Sequence, residues 1–376
     1  MHIDSDFDSG CIVVHDASDP GAIELGLRGD TAADFRHWFH FHVHDAAGED
    51  LVLRIRDAGA SSYPEGWGEG YRACASYDGE TWFRVPTDYD GEALTIQHTP
   101  EQDFIAYACF APHPYSRHAE LVEQAARSPR VRRARLGDSV EGRPVDLLVL
   151  GREDEGLPRV WIIARQHPGE SMAGWFMEGL VERLLDEEDP LVTALLDEAA
   201  LYLVPCMNPD GVALGNHRTN AAGRDLNREW LHPSDQSSPE VFHVLRAMRE
   251  VGVDLFLDVH GDESLPYVFA VRAEGIPDYT ERIQGLEELF VNHLADLDPD
   301  FQLEQGYELD DPGEADLRIA GNYVAQRFDC LSLTLEMPFI DNANRPDEEA
   351  GWSPERSRDF ARSTMESVLA CLTALR

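Results

Sequence analysis

The stretch Arg165-Gln166-His167-Pro168-Gly169-Glu170-Ser171-Met172 lies between an apolar run and a segment with helical periodicity. His167 and Glu170 are three positions apart, so their side chains can converge on one point if the chain turns tightly into a helix. One histidine and one carboxylate supply half of a zinc site, and a catalytic zinc needs a third protein ligand and an open position for water. His260, after the apolar run 255–259, is the best candidate for that third ligand. An isolated His-x-x-Glu pair is more often a capped turn, so the flanking sequence has to decide the interpretation.

Composition narrows the class of protein around this stretch. A chain of 376 residues with 43% hydrophobic content can bury a sizeable core, as two domains or as one large domain with additions. The net charge of −40 argues against nucleic acid or an anionic membrane as a partner, because both would be repelled. All 31 basic residues are arginine, which excludes lysine nucleophiles and Schiff-base chemistry.

The cysteines and the amino terminus bear on the compartment. The six cysteines form no Cys-x-x-Cys pair, a pattern typical of buried free thiols in a reducing compartment: Cys11, Cys74, Cys109, Cys206, Cys330 and Cys371. The first residues are acidic without an apolar core, and no apolar run approaches the ~20 residues of a membrane span. We therefore expect a cytoplasmic protein.

Residues 1–118 predict an antiparallel β-sandwich domain. Short runs of alternating and β-branched residues are separated by turn signals such as Asp78-Gly79 and Asp90-Gly91. His40, His42 and His44 alternate along one run, and a His-x-His pair on one strand face can chelate a metal. No carboxylate or cysteine stands beside them at ligand spacing, so we interpret these histidines as a solvated sheet face.

Residues 119–376 predict a catalytic α/β domain with a mixed, mostly parallel sheet and flanking helices. A charged helix is expected over 118–135, and apolar runs then alternate with helical segments. Four of these runs lead directly into His167, Asn208, His260 and Glu336. Ligands of open α/β sheets bind at the carboxyl ends of the strands, so we expect these polar residues to meet.

The segment 208–230 predicts a long irregular loop with a function. It carries Arg218, Arg224 and Arg228 in a chain that is otherwise strongly acidic. Loops rich in polar residues that follow a core strand are usually functional. Guanidinium groups suit a carboxylate, which they can bind in a bidentate manner, or a developing oxyanion.

Together these motifs resemble the zinc metallocarboxypeptidases, and more closely the cytosolic carboxypeptidase branch, whose members carry a β-sandwich before the catalytic domain. The resemblance extends over nearly the whole chain from about Phe35. It rests on the order and spacing of His167-x-x-Glu170, the Asn208-Pro209-Asp210-Gly211 turn, Arg218, Asp225-x-Asn227-Arg228, His260 and Thr334-Leu335-Glu336.

The resemblance implies hydrolysis of the C-terminal peptide bond of peptides or protein tails by a zinc-activated water. The implied roles are one zinc per chain bound by His167, Glu170 and His260, a general base at Glu336, oxyanion stabilisation by Arg218, binding of the terminal carboxylate by Asn227 and Arg228, and orientation of a ligand histidine by Asp225. The family's mobile tyrosine has no secure match, and Tyr307 and Tyr323 are the candidates.

Two alternatives stay open at this point. An acylamino-acid deacylase of the same fold would use the same zinc site but would not need the carboxylate clamp of Asn227 and Arg228. A non-catalytic zinc-binding interaction module would not need Glu336.

Arg318 carries the expectation about specificity. In the cytosolic branch a basic residue in this neighbourhood looks suited to a terminal Glu or Asp, and Arg318 is its nearest counterpart, which would give a preference for acidic C-terminal residues. A surface arginine paired with Glu314 or Asp316 explains the same residue equally well.

Overall fold

The computed structural model describes residues 1–375, and residues 2–108 form two five-stranded sheets. The strands are β1 (His2–Asp4), β2 (Val13–Asp16), β3 (Ile23–Gly26), β4 (His40–His44), β5 (Leu51–Ile55), β6 (Cys74–Ser76), β7 (Phe83–Arg84), β8 (Thr87–Tyr89), β9 (Leu94–His98) and β10 (Phe104–Ala108). Their orders are β1-β4-β10-β6-β7 and β2-β3-β5-β9-β8, and every pair is antiparallel except β3 with β5. The predicted antiparallel sandwich is therefore confirmed, with one parallel pair in its second sheet.

Period-two alternation explains how these sheets form a core. Phe41 and Val43 of β4 point inward and are fully buried, while His42 and His44 between and after them are half-buried on the outer face. Leu53 of β5, buried from the other sheet, belongs to the same apolar cluster. Burial of one face in each sheet fixes the register of the strands.

The remaining residues form a seven-stranded sheet with helices on both faces. The elements are α1 (Tyr115–Ala125), β11 (Arg132–Asp138), β12 (Pro144–Gly151), β13 (Arg159–Ala164), α2 (Ser171–Leu184), α3 (Pro190–Glu198), β14 (Ala200–Val204), α4 (Pro209–Leu214), α5 (Pro239–Val251), β15 (Leu255–Asp262), β16 (Phe269–Arg272), α6 (Glu281–Leu297), α7 (Ala320–Phe328), β17 (Leu331–Pro338) and α8 (Pro354–Leu375). The order is β11-β12-β14-β13-β15-β17-β16. The four central strands are parallel and the outer ones antiparallel, which confirms the predicted mixed α/β sheet.

Two apolar layers hold this sheet between its helices. Leu257 of β15 belongs to the cluster that also contains Phe176 of α2 and Phe360 of α8. Its neighbour Phe256 belongs to the opposite cluster with Val244 of α5. The central strands are thus apolar on both faces over most of their length, and His260 and Glu336 lie in the carboxyl-terminal halves of β15 and β17.

The structure corrects the helix expected over 118–135. Helix α1 ends at Ala125, and Arg132–Asp138 is an edge strand, β11, paired antiparallel with β12. Pro129 interrupts the helical pattern because it cannot supply a helix hydrogen bond. Arg132, Arg133 and Arg135 then lie on this edge strand, where charged side chains are tolerated.

Two further properties follow from the fold. The six cysteines are buried free thiols, as predicted. Within residues 1–375, no helix combines the length and apolar character that crossing a bilayer requires.

Candidate active site

The turn after β13 brings His167 and Glu170 to the carboxyl edge of the sheet. Arg165 opens the turn with φ of 61°, a left-handed conformation that is uncommon for a residue with a side chain. Its buried guanidinium holds the turn by donating to the carbonyl oxygens of His113 at 3.1 Å and Pro168 at 2.6 Å. A strained, over-determined backbone of this kind is typical of functional sites.

Gly169 lets a second loop approach this turn. Its N–H donates to the carbonyl oxygen of His217 at 2.7 Å. A Cβ at position 169 would lie 2.4 Å from the Nδ1 atom of His217, so no larger residue fits without displacement. The loop that carries Arg218 is thereby packed directly against the turn that carries His167.

His167, Glu170 and His260 converge as predicted, and all three are buried. The Glu170 carboxylate lies between the histidines, with Oε1 2.6 Å from Nδ1 of His167 and Oε2 2.8 Å from Nδ1 of His260. The two Nδ1 atoms are 3.2 Å apart. Two imidazole nitrogens and a carboxylate facing one point are a donor set that zinc prefers.

The outer nitrogen of each histidine is bound to a carboxylate. Nε2 of His167 lies 3.0 Å from Oδ1 of Asp225, and Nε2 of His260 lies 2.9 Å from Oδ2 of Asp258. Such carboxylate partners fix the tautomer with the proton on Nε2 and leave the Nδ1 lone pair free for a metal. The residues present therefore fit a zinc ion.

Buried charge in the cluster is strongly coupled. Burial alone would raise the pKa of Glu170, but His167 and His260 lower it below its ordinary value. Burial also opposes protonation of His260, yet Asp258 and Glu170 raise its pKa well above the usual range. The carboxylates of Glu170 and Asp258 thus favour a positive charge between them, supplied either by a proton on His260 or by a metal ion.

Glu336 stands beside this cluster. Strand β17 pairs in parallel with β15, and the register places Glu336 opposite His260. Its Oε2 atom is buried and makes no hydrogen bond to any of residues 1–375. Burial raises the pKa of Glu336 well above that of an ordinary glutamate, and Glu170, Asp262 and Glu263 add to the increase. An unpartnered buried carboxyl facing a cavity is poised to bind a proton of another molecule.

Arg218 reaches the same cavity and is held from two sides. Its Nε donates to Oδ2 of Asp225 at 2.8 Å, so Asp225 bridges Arg218 and His167. Its guanidinium carbon lies 5.7 Å from the ring centre of Phe35 and 5.8 Å from that of Tyr63. The carboxylate and the two rings thus hold the side chain of Arg218 in place, and Arg218 lines the cavity.

Asp30, which the sequence analysis missed, fixes the loop around Arg218. Its buried carboxylate accepts three consecutive backbone N–H groups, from His217 at 2.6 Å, Arg218 at 2.9 Å and Thr219 at 2.8 Å. The hydroxyl of Thr219 donates to it as well, at 3.0 Å. Asp30 follows β3, so a residue of the N-terminal sheets positions an arginine of the catalytic cavity.

Asn227 and Arg228 lie on a 3-10 turn over Leu226–Arg228. The side chain of Asp225 caps this turn by accepting from the N–H of Asn227 at 3.0 Å. Oδ1 of Asn227 accepts from the N–H of Ala320 at 2.9 Å. That bond orients the side-chain amide, and Asn227 and Arg228 both line the cavity as the sequence analysis expects of a carboxylate clamp.

Gln166 and Trp230 complete the support of His260 and were also missed. Gln166 donates from Nε2 to Oδ2 of Asp258 at 2.6 Å and accepts from Nε1 of Trp230 at 2.8 Å. The Asp258 carboxylate that orients His260 is therefore oriented in turn. The signal available in the sequence was the position of Asp258 two residues before His260 on the same strand face.

The main cavity has a volume of about 1030 Å³ and lies over this edge of the sheet. His167, Glu170, His260 and Glu336 line it, together with Arg272 of β16. The structure thus brings the predicted metal ligands, base, oxyanion arginine and carboxylate clamp into one cavity.

Arg318 lies elsewhere. Its side chain is 61% exposed and forms an ion pair with Asp316 at 2.8 Å. It lines a smaller cavity of about 420 Å³, which it shares with Arg228 and Asp225. Its position favours the surface interpretation, and its proposed role in specificity stays a prediction.

The two tyrosine candidates differ in the same way. Tyr307 is at the rim of the main cavity, and its hydroxyl donates to Oδ2 of Asp262 at 2.6 Å. Tyr323 is buried in an apolar cluster and bonded to Arg249. Of these two tyrosines, Tyr307 lines the main cavity and Tyr323 does not.

Family models match both halves of the chain. A model described as the cytosolic carboxypeptidase N-terminal domain matches residues 3–110, and one described as zinc carboxypeptidase matches residues 118–348. An uncharacterized protein of Zymomonas mobilis is 43% identical over 370 residues, which cover 98% of this chain and 96% of that protein. Cytosolic carboxypeptidase 6 of Caenorhabditis elegans is 25% identical over 90% of this chain and 78% of its own length.

Solved structures resemble the whole chain. A metallo-carboxypeptidase from Burkholderia cenocepacia superposes with a TM-score of 0.97 at 46% identity, over 100% of both chains. A metallo-carboxypeptidase from Pseudomonas aeruginosa, solved in complex with (2-guanidinoethylmercapto)succinic acid, gives a TM-score of 0.97 at 47% identity, also over 100% of both chains.

Proposed function

This chain belongs to the zinc carboxypeptidase family of peptide hydrolases, and from that premise we propose that it removes C-terminal residues from peptides or protein tails with one zinc ion per chain. The observation that carries the proposal is the convergence of His167, Glu170 and His260 beside Glu336, whose Oε2 atom has no hydrogen-bond partner within residues 1–375. A zinc ion in that cluster would lower the pKa of a water molecule and polarise the scissile carbonyl group.

Four side chains carry the remaining steps of the proposed reaction. Glu336 accepts a proton from the attacking water and delivers it to the leaving amine, so no covalent intermediate with the protein is needed. Arg218 stabilises the negative charge that develops on the carbonyl oxygen. Asn227 and Arg228 bind the terminal carboxylate of the substrate, which selects the last peptide bond of a chain.

We further propose a preference for acidic C-terminal residues. Three guanidinium groups line the main cavity, those of Arg218, Arg228 and Arg272. Ten carboxyl side chains line it too, those of Glu65, Glu170, Asp262, Glu263, Glu274, Glu288, Glu304, Glu308, Asp310 and Glu336, so the attraction has to come from a local arginine and not from the average field. Arg272, 3.1 Å from Glu274, is better placed for this than Arg318.

A peptide panel tests the activity. The zinc-loaded protein is incubated with peptides that differ only in the last residue, Glu, Leu or Arg, and released amino acids are measured by mass spectrometry. The Arg peptide is included because the compound bound to the P. aeruginosa relative carries a guanidino group. A C-terminally amidated copy of each peptide is the matched control, since it lacks the carboxylate that Asn227 and Arg228 would bind.

The outcomes separate the candidate functions. Release from free-acid peptides but not from amidated ones supports a carboxypeptidase. Turnover of N-acyl amino acids without turnover of peptides supports the deacylase, and zinc binding without any turnover supports the interaction module.

Two matched variants test the specificity. Arg272→Ala and Arg318→Ala each remove one guanidinium group, one inside the main cavity and one outside it. We expect the ratio of rates on Glu and Leu peptides to fall in Arg272→Ala and to stay unchanged in Arg318→Ala. A fall only in Arg318→Ala would restore the prediction from sequence, and faster cleavage of Leu or Arg peptides by the wild type would contradict the acidic preference.

Two further expectations from the sequence are kept as proposals. We propose a division into a β-sandwich domain over 1–118 and a catalytic domain over 119–376. A cytoplasmic location is proposed on the strength of the six buried free thiols.

A further inference from the structure

The first strand of the chain brings a carboxylate to the histidines of β4. Strand β1 is an edge strand that pairs antiparallel with β4, and the register sets Asp4 opposite His42 and His2 opposite His44. The intervening Ile3 points into the core. His2, Asp4, His42 and His44 therefore share the outer face of the sheet, where directly opposite side chains are within reach of each other.

Asp4, His42 and His44 offer three donor atoms at chelating distance. One carboxylate oxygen and one ring nitrogen from each histidine all lie within 4.8 Å of one another, and the three side chains are half-buried. Hydrogen bonds to the ring nitrogens of His42 and His44 are absent within residues 1–375. The N–H of Asp6 donates to Oδ1 of Asp4 at 2.9 Å and so orients the carboxylate.

Aromatic side chains restrict how the two imidazoles can rotate. The ring of Phe7 stacks on that of His42, with centroids 3.8 Å apart and an angle of 5° between the planes. Phe104 contacts the rings of His42 and His44 at centroid distances of 4.9 Å and 5.4 Å. Stacking covers a ring face and leaves the nitrogens at the ring edge accessible. Side chains already ordered in this way lose less entropy when they bind a ligand.

This geometry changes the interpretation of the histidine run. Within the run of His40, His42 and His44 no carboxylate stands at ligand spacing, because the partner Asp4 belongs to another strand. His40 itself is buried, with Nδ1 3.1 Å from the Ser9 hydroxyl, and takes no part in the cluster.

We propose that Asp4, His42 and His44 form a second metal site, for a divalent transition metal of the zinc class. Two imidazoles and one carboxylate are ligands that such ions prefer over calcium or magnesium, which take oxygen ligands. His2, whose ring centre is 5.9 Å from that of His44, is within reach as a fourth donor. The site is built by the N-terminal sheets and does not depend on the proposed peptidase activity.

A metal ion there would cross-link β1 to β4. The segment after β1 contacts α1 and α4. Asp8 accepts from the N–H groups of Tyr115 and Ser116, and the N–H of Ser9 donates to the carbonyl oxygen of Ala213. The metal would thus stabilise an edge strand that leads directly into these contacts.

Zinc stoichiometry tests the proposal. The full chain is stripped of metal, titrated with Zn²⁺ alone, passed through a desalting column and measured by elemental analysis. We expect two equivalents in the wild type and one in His44→Ala and Asp4→Asn, with the second equivalent weakened at least about tenfold. Hydrogen exchange of the β1 and β4 amides should slow with the second equivalent in the wild type only.

Matched controls and a second variant keep the test decisive. His15→Ala and Asp16→Asn remove the same functional groups from exposed positions of β2 and should keep two equivalents. Asp4→Asn provides the answer if His44→Ala does not fold, and retention of the first equivalent shows that a variant is folded. A single wild-type equivalent that Asp4→Asn leaves unchanged, or a second one that persists unchanged in both Asp4→Asn and a folded His44→Ala, would overturn the proposal.

Discussion

The metal-ligand candidates and Arg218 face the same cavity, but different parts of the chain hold them. His167, Glu170 and His260 come from the ends of β13 and β15, which are neighbours in a sheet buried on both faces. Arg218 comes from an irregular loop whose backbone is fixed by Asp30 from the N-terminal sheets. One half of the site is built by sheet register and the other half by contact between distant segments.

This difference implies that the N-terminal sheets help to position Arg218. Three N–H groups of the Arg218 loop are satisfied by one carboxylate, and Phe35 and Tyr63 cover the guanidinium. The histidines of the candidate metal cluster are oriented by Asp225 and Asp258 and not by the N-terminal sheets, although Asp225 also contacts Arg218. The two halves should therefore fail separately when they are perturbed.

The largest effect is expected where the sheet-built half is broken. His167→Ala removes one of the proposed zinc ligands and should abolish stoichiometric zinc binding at the catalytic cluster, with turnover falling by on the order of 10³ or more. Elemental analysis and peptide release measure the two effects, and His232→Ala, at an exposed histidine, is the control. A His167→Ala protein that kept stoichiometric catalytic zinc and normal turnover would show that the ligand assignment is wrong.

A smaller but still large effect is expected at Glu336. Glu336→Gln preserves shape and should leave zinc content and thermal stability close to the wild type, while turnover falls on the order of 10² because the proton acceptor is lost. The acid limb of the rate profile, where protonation of Glu336 removes the proton acceptor, should vanish in the variant. Near-normal turnover in Glu336→Gln would exclude it as the base.

Asp30→Ala tests the other half of the comparison. Removal of the carboxylate leaves three N–H groups of the Arg218 loop without their acceptor, and a small displacement of Arg218 should lower kcat by roughly 10- to 100-fold while zinc content stays unchanged. If Asp30 acts through Arg218, the double variant Asp30→Ala/Arg218→Ala should lose no more activity than Arg218→Ala alone.

Asp78→Ala is the matched control for Asp30→Ala. Asp78 also accepts consecutive backbone N–H groups, from Glu80 and Thr81, but in an exposed turn away from the cavity. Equal losses of activity in the two variants, or additive losses in the double variant, would mean that Asp30 acts only on general stability.

The smallest effect on activity is expected at Glu240, whose side chain contacts the Arg218 loop through Asn220. Its buried carboxylate accepts from Nδ2 of Asn220 at 3.1 Å, and burial raises its pKa to about 7. Between the ordinary value near 4.5 and about 7 the folded chain binds more protons than the unfolded chain, so the free energy of unfolding should fall as pH rises through that window, by on the order of 1 to 3 kcal/mol.

Denaturant unfolding at several pH values measures this dependence. Glu240→Gln should reduce this slope and change turnover little, and the remaining slope should come from Glu287, whose pKa burial also raises to about 7. Glu250→Gln, at an exposed position of the same helix as Glu240, should keep the wild-type slope. An unchanged slope in Glu240→Gln would mean that another group titrates in this window.

The sequence was sufficient for the parts of the site that are local to strands. Apolar runs that end in His167, His260 and Glu336 predict both the sheet and the meeting of these residues, because parallel strands share a carboxyl edge. Asp225 and Arg228 follow from their place in a motif. In each of these predictions, only a few residues separate the side chain from the strand or motif that positions it.

The parts that could not be predicted depend on contacts between distant segments. Asp30 is 187 positions from His217, and no pattern within either segment indicates the other. The same is true of Asp4 and His42, which meet only through the pairing of β1 with β4. Arg318 is the opposite case. It is close in sequence to α7 and β17, but its side chain lies outside the main cavity.

The pairing of His260 with Glu336 in one register has a consequence for how such a protein can evolve. The pairing of two adjacent strands sets the distance between His260 and Glu336. One inserted residue in β17 before Glu336 would turn that side chain to the opposite face. Insertions and deletions within β15 and β17 should therefore disturb the site more than conservative substitutions do. For an engineer, transplanting the pair of His260 and Glu336 would require both strands in this register and not only the two residues.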